Sequence, residues 1–202
     1  MTRPGTFERV YSAIRQRLVE GVFKPGDRLE PAILSDELNS SVTPVRDALH
    51  RLTGERLVEA PRNSGFRAPI LTETMLRQMY SWHLDLLLLA LASRPRASGE
   101  PSGIDFPSKD APPHMTMNAL FRSLAARSGN PEHSIAMSAL AGRLGSAQRM
   151  ETALLDAIEL ETASILEAVR NGDRAELRRS LIRYHRRRER IVPELLDLLR
   201  KP

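Results

Sequence analysis

The side chains that most often perform chemistry are sparse in this sequence, and their spacing matches no known catalytic or metal site. The chain has no cysteine and five histidines. None of these histidines has a second one at the helical spacing that places two metal ligands on one face. A glycine-rich phosphate loop, a nucleophile elbow and a convincing carboxylate pair are also missing. The sequence therefore argues against an enzyme, and it predicts neither a resident metal nor a cofactor.

Bulk composition predicts a folded protein without a membrane segment. The 202 residues are 41% hydrophobic and 27% charged, which is ordinary for a globular protein, and this length favours two domains over one. The first residues lack an apolar signal core, and the longest apolar run, Leu86 to Ala92, is far shorter than the roughly 20 residues that span a bilayer. Because the absence of cysteine suits a reducing compartment, we expect a cytoplasmic protein.

The net charge of +5 suits a polyanionic partner such as nucleic acid. Residues 1–70 and 71–202 carry +2 and +3 of this excess, so charge alone does not locate a binding domain. Five arginines lie between positions 183 and 190. We expect this run to form a solvated or carboxylate-paired helix face rather than a DNA contact.

The pattern of apolar residues predicts three helices at the start of the chain. The first has apolar residues at helical spacing and ends before Gly21. Pro31 opens a short second helix. Thr43 is predicted to cap the third helix, with Pro44 in its first helical position, which leaves residues 39–42 as the turn between two helices. The stripe of the first helix consists of Phe7, Val10, Tyr11, Ile14 and Leu18.

Two short strands are predicted after the third helix. Residues 56–59 and 66–68 have strand character, and residues 61–65, which contain proline, asparagine and glycine, form a turn with a basic tip between them. Three helices and a small β-hairpin make a winged helix-turn-helix. We assign this domain to residues 5–70.

Residues 71–202 are predicted to form an all-helical bundle, so the fold class is mainly α. A long helix runs from the Thr72 cap to about Ser93 and carries Tyr80 and Trp82, which we expect in core or dimer packing. A proline-rich loop follows at 94–114. The later helices are predicted at 115–127, 131–145, 148–170 and 173–191, the last opened by a capping box that begins at Asp173.

Three segments of the first domain carry a family resemblance: Glu8 to Leu18, Lys24 to Leu29, and Thr43 to Leu52. Their residues and mutual spacing resemble the N-terminal domain of the GntR family. The resemblance implies that the helix containing Pro44 enters the DNA major groove, that the wing tip reaches the minor groove, and that a dimer reads two inverted half-sites.

The resemblance also implies which residues contact DNA. Arg46 lies where its planar guanidinium can bond a guanine edge through two hydrogen bonds. Val42 stands where such proteins usually have arginine, and it suits a thymine methyl group; Ala32 likewise replaces an arginine found in some members. Operator sequence therefore does not transfer from relatives. The predicted DNA-contacting residues are Ser41, Val42, Thr43, Arg46, Arg51, Arg62, Ser64, Gly65 and Arg67.

The second half is similar to the FCD-type ligand-binding domain of FadR-like members, mainly through segments 120–121, 128–130 and 171–173 and through His185. The metal-binding positions of that domain correspond here to Asn118, Arg122, Thr162 and His185. Because an arginine repels a cation, no metal site is expected. Our hypothesis is that Arg122 anchors an anionic effector instead, with His185 and Asn118 as hydrogen-bond partners. The alternative is that Arg122 points to solvent and His185 is an ordinary interior histidine.

Together these features predict a sequence-specific DNA-binding transcriptional regulator. The resemblance implies a homodimeric repressor that binds double-stranded DNA at an inverted-repeat operator and responds to a small carboxylate or phosphate metabolite. Two alternatives stay open: a DNA-binding dimer whose helical half only dimerises, and a helical-bundle enzyme.

Overall fold

A computed structural model of the chain describes residues 5–93 and 111–200. The described residues are mainly helical, as predicted. The first domain contains α1 (Thr6–Val19), β1 (Arg28–Leu29), α2 (Pro31–Glu37), α3 (Val42–Gly54) and β2 (Phe66–Arg67). The helical part contains α4 (Glu73–Ala92), α5 (Pro113–Ala126), α6 (Pro131–Met150), a 3₁₀ turn (Glu151–Ala153), α7 (Ile158–Arg170), α8 (Arg174–Arg190) and α9 (Val192–Arg200).

The small sheet of the first domain differs from the predicted hairpin. Strand β2 pairs antiparallel with β1, so that Leu29 lies opposite Phe66. The predicted strand at 56–59 is wrong: only Glu59 forms a bridge, with Arg67, and Arg56 has a left-handed backbone with φ of +59°. A residue in that conformation turns the chain and does not extend a strand.

Helix α3 begins earlier than predicted. Ser41 is its N-cap residue and makes no capping hydrogen bond through its side chain, so Thr43 and Pro44 lie in the first turn. Proline is tolerated there because the first N–H groups of a helix have no intrahelical partner. The predicted Thr43 cap was therefore two residues too late.

In the helical part, two caps were predicted correctly and several boundaries were not. Thr72 and Asp173 accept hydrogen bonds from the amides of Met75 and Glu176. The predicted loop at 94–114 ends too late, since α5 begins at Pro113, and residues 94–110 lie outside the described part. The chain after α8 forms α9, which the sequence did not indicate.

Helix α6 passes without a break through Gly145, where a helix end was predicted. A methyl group at this position would lie 2.5 Å from Cγ1 and 3.0 Å from the carbonyl oxygen of Val19 in α1. Gly145 therefore permits close packing of α6 on the first domain. Helix α6 ends at Met150, and α7 begins only at Ile158, after Ala157 with its φ of +54°.

Buried apolar side chains form two clusters, one within residues 10–68 and one within residues 71–199. The first fills the space between α1, α2, α3 and the small sheet, and the second fills the helical bundle. Every helix among the described residues is too short or too polar to span a bilayer.

Candidate nucleic-acid interface

The N-terminal end of α3 presents an exposed polar edge. Ser41, Thr43 and Arg46 are exposed, and Val42 retains 38% of its accessible surface. The opposite face of the helix is fully buried through Val45, Ala48, Leu49 and Leu52. Because these apolar residues fix the rotation of α3, the polar face is directed away from the core. This edge has the exposure and the donors that a DNA-reading helix needs.

The wing tip is a second exposed edge. Arg62, Asn63, Ser64 and Gly65 are all exposed, and Asn63 and Gly65 have φ of +59° and +69°. Such left-handed residues make a tight turn. The tip carries the guanidinium of Arg62 at its outer end.

The wing and α3 are packed against each other. The ring of His50 in α3 lies edge-on to Phe66 in β2, with ring centroids 4.9 Å apart. This contact lies close to the start of β2, where the wing returns to the sheet. The two exposed edges are therefore held in a fixed relation.

Two predicted DNA-contacting arginines are engaged within the protein. Arg67 forms an ion pair with Glu59 at 2.8 Å. Arg51 lies 3.4 Å from a carboxylate oxygen of Glu8 and 3.5 Å from one of Glu55, and it stacks over Tyr11. Binding a phosphate would require these contacts to be exchanged or shared, so Arg51 and Arg67 are less available than Arg46 and Arg62.

The four predicted effector-binding residues do not share one environment. Thr162 and His185 are buried in the helical bundle on α7 and α8, and Asn118 on α5 donates a hydrogen bond to Gln148 at 2.9 Å. Arg122 is exposed, because its neighbour Phe121 takes the fully buried position on α5. Arg122 thus points to solvent, and its predicted role as an anchor inside the bundle has no support from its position.

His185 is a neutral interior histidine. Its Nδ1 lies 2.7 Å from the carbonyl oxygen of Leu181, and its Nε2 lies 2.8 Å from Nδ1 of His83. A carbonyl only accepts, so His185 carries its proton on Nδ1, and His83 must donate to Nε2. Burial lowers the pKa of His83, and it lowers the pKa of His185 to about 4.

Comparison with known proteins identifies the first domain. The family model described as bacterial regulatory proteins, gntR family, matches residues 6–67. Residues 6–67 form a GntR-family helix-turn-helix domain. This domain contains both exposed edges described above.

The curated relatives are described as transcriptional regulators, and each matches over only part of its length. The Nta operon transcriptional regulator of Aminobacter aminovorans is 40% identical over 58 residues, which cover 29% of this chain and 28% of that protein. The transcriptional repressor GlaR of Escherichia coli is 27% identical over 84 residues, covering 41% and 38%. The matched segments thus span less than half of each relative.

Solved structures extend the similarity of fold to the helical domain. A putative GntR transcriptional regulator from Rhodococcus sp. RHA1 superposes with a TM-score of 0.75 at 18% identity, covering 95% of this chain and 99% of that one. McbR/YncC of E. coli gives 0.68 at 21% identity, with the same coverage. The curated relatives are described as transcriptional regulators, whereas the similarity to these two solved structures, at 18% and 21% identity, shows the fold alone.

Arg9 has a supporting role in the GntR-family domain that the sequence does not predict. Arg9 donates hydrogen bonds to the carbonyl oxygens of Leu38 and Asn39, at 2.7 and 3.2 Å. These carbonyls belong to the turn between α2 and α3, where Asn39 has φ of +47°. Arg9 thereby fixes the turn that orients α3. The partners are about thirty positions apart in sequence, so no local spacing announces them.

The helical part of the chain contains a buried ion-pair network that the sequence does not predict. Arg188 is 1% exposed and lies 2.8 Å from carboxylate oxygens of both Glu151 and Glu161. Tyr80 donates to Glu151 at 2.7 Å. Burial alone would lower the pKa of Arg188, but Tyr184 and the two carboxylates raise it. Arg188 therefore links α4, α7 and α8. It is carboxylate-paired, which was one of the two predicted alternatives, but it is buried and does not lie on a solvated face.

The rest of the basic run behaves as predicted where partners are present. Arg183 pairs with Glu176 at 2.9 Å and Arg187 pairs with Glu161 at 3.1 Å. Tyr80 lies in the core, one of the two predicted environments. Trp82 retains 47% of its accessible surface, so for this residue only the prediction of dimer packing stays open.

Proposed function

We propose that this chain is a sequence-specific transcriptional repressor that binds an inverted-repeat operator as a homodimer in the cytoplasm. The observation that carries the proposal is Arg46, an exposed arginine on the first turns of α3 in a GntR-family domain. Within the described part of the chain, no carboxylate lies within ion-pair distance of it. Its guanidinium is therefore free to bind a base edge.

The proposed binding mode assigns different tasks to the two exposed edges. Helix α3 enters the major groove, where Arg46 reads a guanine and Val42 contacts a thymine methyl group. The hydroxyl groups of Ser41 and Thr43 and the free amides of the first turn bind phosphates and set the register. At the wing tip, Arg62, Ser64 and Gly65 approach the adjacent minor groove. Arg51 and Arg67 add phosphate contacts by sharing their carboxylate partners.

An exposed apolar face supports the homodimer. Trp82 and Leu89 on α4 are seven residues apart, hence on one side of the helix, and retain 47% and 50% of their accessible surface. Large apolar side chains on a common face are typical of an association surface. A twofold arrangement of two GntR-family domains would match the two half-sites of an inverted repeat.

The proposal is tested by selecting bound sequences from a random duplex pool and titrating the selected duplex by fluorescence anisotropy. We expect an inverted repeat, and we expect Arg46→Ala to weaken its binding roughly 5- to 150-fold, because a two-bond guanine contact contributes about 1–3 kcal/mol. Binding to unrelated DNA should change little. Arg186→Ala, which removes an exposed arginine from α8, is the matched control.

Two results would contradict the proposal. Failure to enrich any sequence, with only weak and strongly salt-dependent binding, would exclude sequence-specific reading. An equal loss for Arg46→Ala on selected and unrelated DNA would reduce Arg46 to a phosphate contact. Sedimentation at the concentrations used for titration tests the homodimer, and a monomer bound to a single half-site would overturn that part.

A further inference from the structure

A cavity of about 140 Å³ lies between the GntR-family domain and the helical domain. Both domains supply its apolar wall. The lining includes Leu18, Phe23 and Leu57 from the first domain and Met75, Met79 and Leu199 from the second. The cavity is thus separate from the bundle interior, where the effector-binding residues were predicted.

Three cations line the same cavity: Lys24 and Arg56 from the GntR-family domain and Arg143 from α6. Among the residues that the structure describes, none of the three has a carboxylate within ion-pair distance. The nearby Arg15 and Arg51 differ, because both pair with Glu55. Arg143 is half-buried, and burial, followed by the positive charge of Arg56, lowers its pKa. The cavity therefore holds positive charge that the described chain does not neutralise.

The backbone at Arg56 is a second, independent observation. The amides of Arg56 and Leu57 bond the carbonyl oxygens of Thr53 and Leu52, each at 3.0 Å, which closes α3 with a Schellman motif. Arg56 occupies the left-handed position of this motif, with φ of +59°, where glycine is strongly preferred. Glycine would close this turn with less strain, so the turn itself gives no reason for an arginine at this position.

We propose that this cavity binds a small amphipathic carboxylate whose acidic group is held by Arg143 and Arg56, with Lys24 beside them. Arginine binds a carboxylate through two parallel hydrogen bonds, and the apolar wall takes the hydrocarbon part. A cavity of about 150 Å³ accommodates a benzene ring, so an aromatic or branched aliphatic acid matches the size. The inference rests on the proposed function, because it identifies the site of the effector.

The position of the cavity explains how such a ligand would act. A carboxylate bound here touches both the GntR-family domain and the helical domain, so its affinity depends on how the two are arranged. A ligand shifts an equilibrium only when it binds two states differently. The carboxylate would favour one relative position of the two domains and thereby change the spacing of the two α3 helices in the dimer.

The test measures the melting temperature of the full chain with benzoate and with phenylacetate, and with benzamide as the neutral control. A ligand that binds only the folded state raises the melting temperature by mass action. We expect an increase with the acids and none with benzamide. Arg143→Gln and Arg56→Gln should each weaken acid binding roughly tenfold or more, since a charge-assisted hydrogen bond is lost. Arg186→Gln should bind as the wild type does.

Three outcomes would overturn the proposal. One is no response to either acid, and another is an equal response to benzamide. The third is a response that survives Arg143→Gln and disappears in Arg122→Gln, which would return the site to α5. Operator binding of the wild type without any acid is measured in parallel. If the wild type does not bind the operator, the proposed function is overturned. If it binds the operator but does not respond to the acids, only this inference is overturned.

Discussion

The helical domain contains two arginines that differ in burial and in the charge of their neighbours. Arg188, in its centre, is 1% exposed and faces two carboxylates and the ring of Tyr184. Arg143, at the boundary with the GntR-family domain, is half-buried and faces another arginine. Burying a charge is costly unless it is paired. The chain neutralises the first cation itself, whereas the second can be neutralised by a molecule from outside.

The two regions also differ in what they connect. The Arg188 network joins residues on α4, α7, α8 and the 3₁₀ turn, all in the helical part of the chain. The cavity at Arg143 and Arg56 joins two clusters. An ion pair inside one core stabilises a single structure. Unpaired charge between two cores allows a ligand that neutralises it to favour one relative position of the cores.

The largest expected effect comes from breaking the paired site. Arg188→Met leaves Glu151, which is 2% exposed, as a buried and unpaired carboxylate. We expect the free energy of unfolding to fall by about 3–5 kcal/mol, as is typical when one partner of a buried pair is removed. Urea denaturation followed by circular dichroism measures the change.

Two further variants distinguish charge from packing at this site. Arg188→Met combined with Glu151→Gln should recover part of the loss, because the unpaired charge is then gone. Arg186→Met, on the exposed side of the same helix, should change the free energy of unfolding by less than about 0.5 kcal/mol. An Arg188→Met protein as stable as this control would contradict the structural role of the network.

Acid should weaken the centre of the helical domain through its buried histidines. Burial lowers the pKa of His185 from 6.5 to about 4, so between these values the unfolded state binds more protons than the folded state. The free energy of unfolding therefore falls as the pH drops from about 6.5 to about 4. The slope is at most about 1.4 kcal/mol per pH unit, and the total is about 3 kcal/mol for this histidine.

The measurement is urea denaturation across this pH range for the wild type and for His185→Phe. The substituted ring can pack against Phe121 and Tyr184, which already surround the position. Its own contribution to the pH dependence must vanish, although His83 continues to titrate. An unchanged slope in His185→Phe would mean that His185 is protonated equally in the folded and unfolded states.

The same contrast explains how much of the molecule could be predicted from its sequence. The correct predictions concern the helix caps at Thr72 and Asp173 and the apolar stripe of α1. Each depends on residues within a few helical turns of one another, so its pattern is visible in the local sequence. The sequence predicts a helix end at Gly145, because the contact with Val19 of α1 that requires a glycine here is distant in sequence. The sequence predicts a solvated or carboxylate-paired face around Arg188 but not its burial, because its partners Glu151 and Glu161 are 37 and 27 residues away.

The candidate sites follow the same rule. The exposed edge of α3 could be predicted because Ser41, Thr43 and Arg46 lie within six residues of one motif. The charged cavity could not, since its lining comes from positions between 18 and 199. The resemblance of the helical domain predicts an effector anchor at Arg122, but the neighbouring Phe121 is the buried residue and Arg122 is exposed.

The smallest expected change in the free energy of unfolding is an increase, opposite in sign to that of Arg188→Met. It tests the difference between the Arg188 network and the cavity directly. Arg56→Gly places glycine at the left-handed position that closes α3, which relieves a strain of about 1 kcal/mol. It also removes one of two neighbouring positive charges. We expect the free energy of unfolding without ligand to rise by about 1 kcal/mol, while the response to benzoate is lost. Thermal denaturation with and without benzoate measures both effects in one experiment. A purely structural arginine would destabilise the protein when removed, as Arg188 should, so a fall in stability for Arg56→Gly would erase the distinction between the two regions.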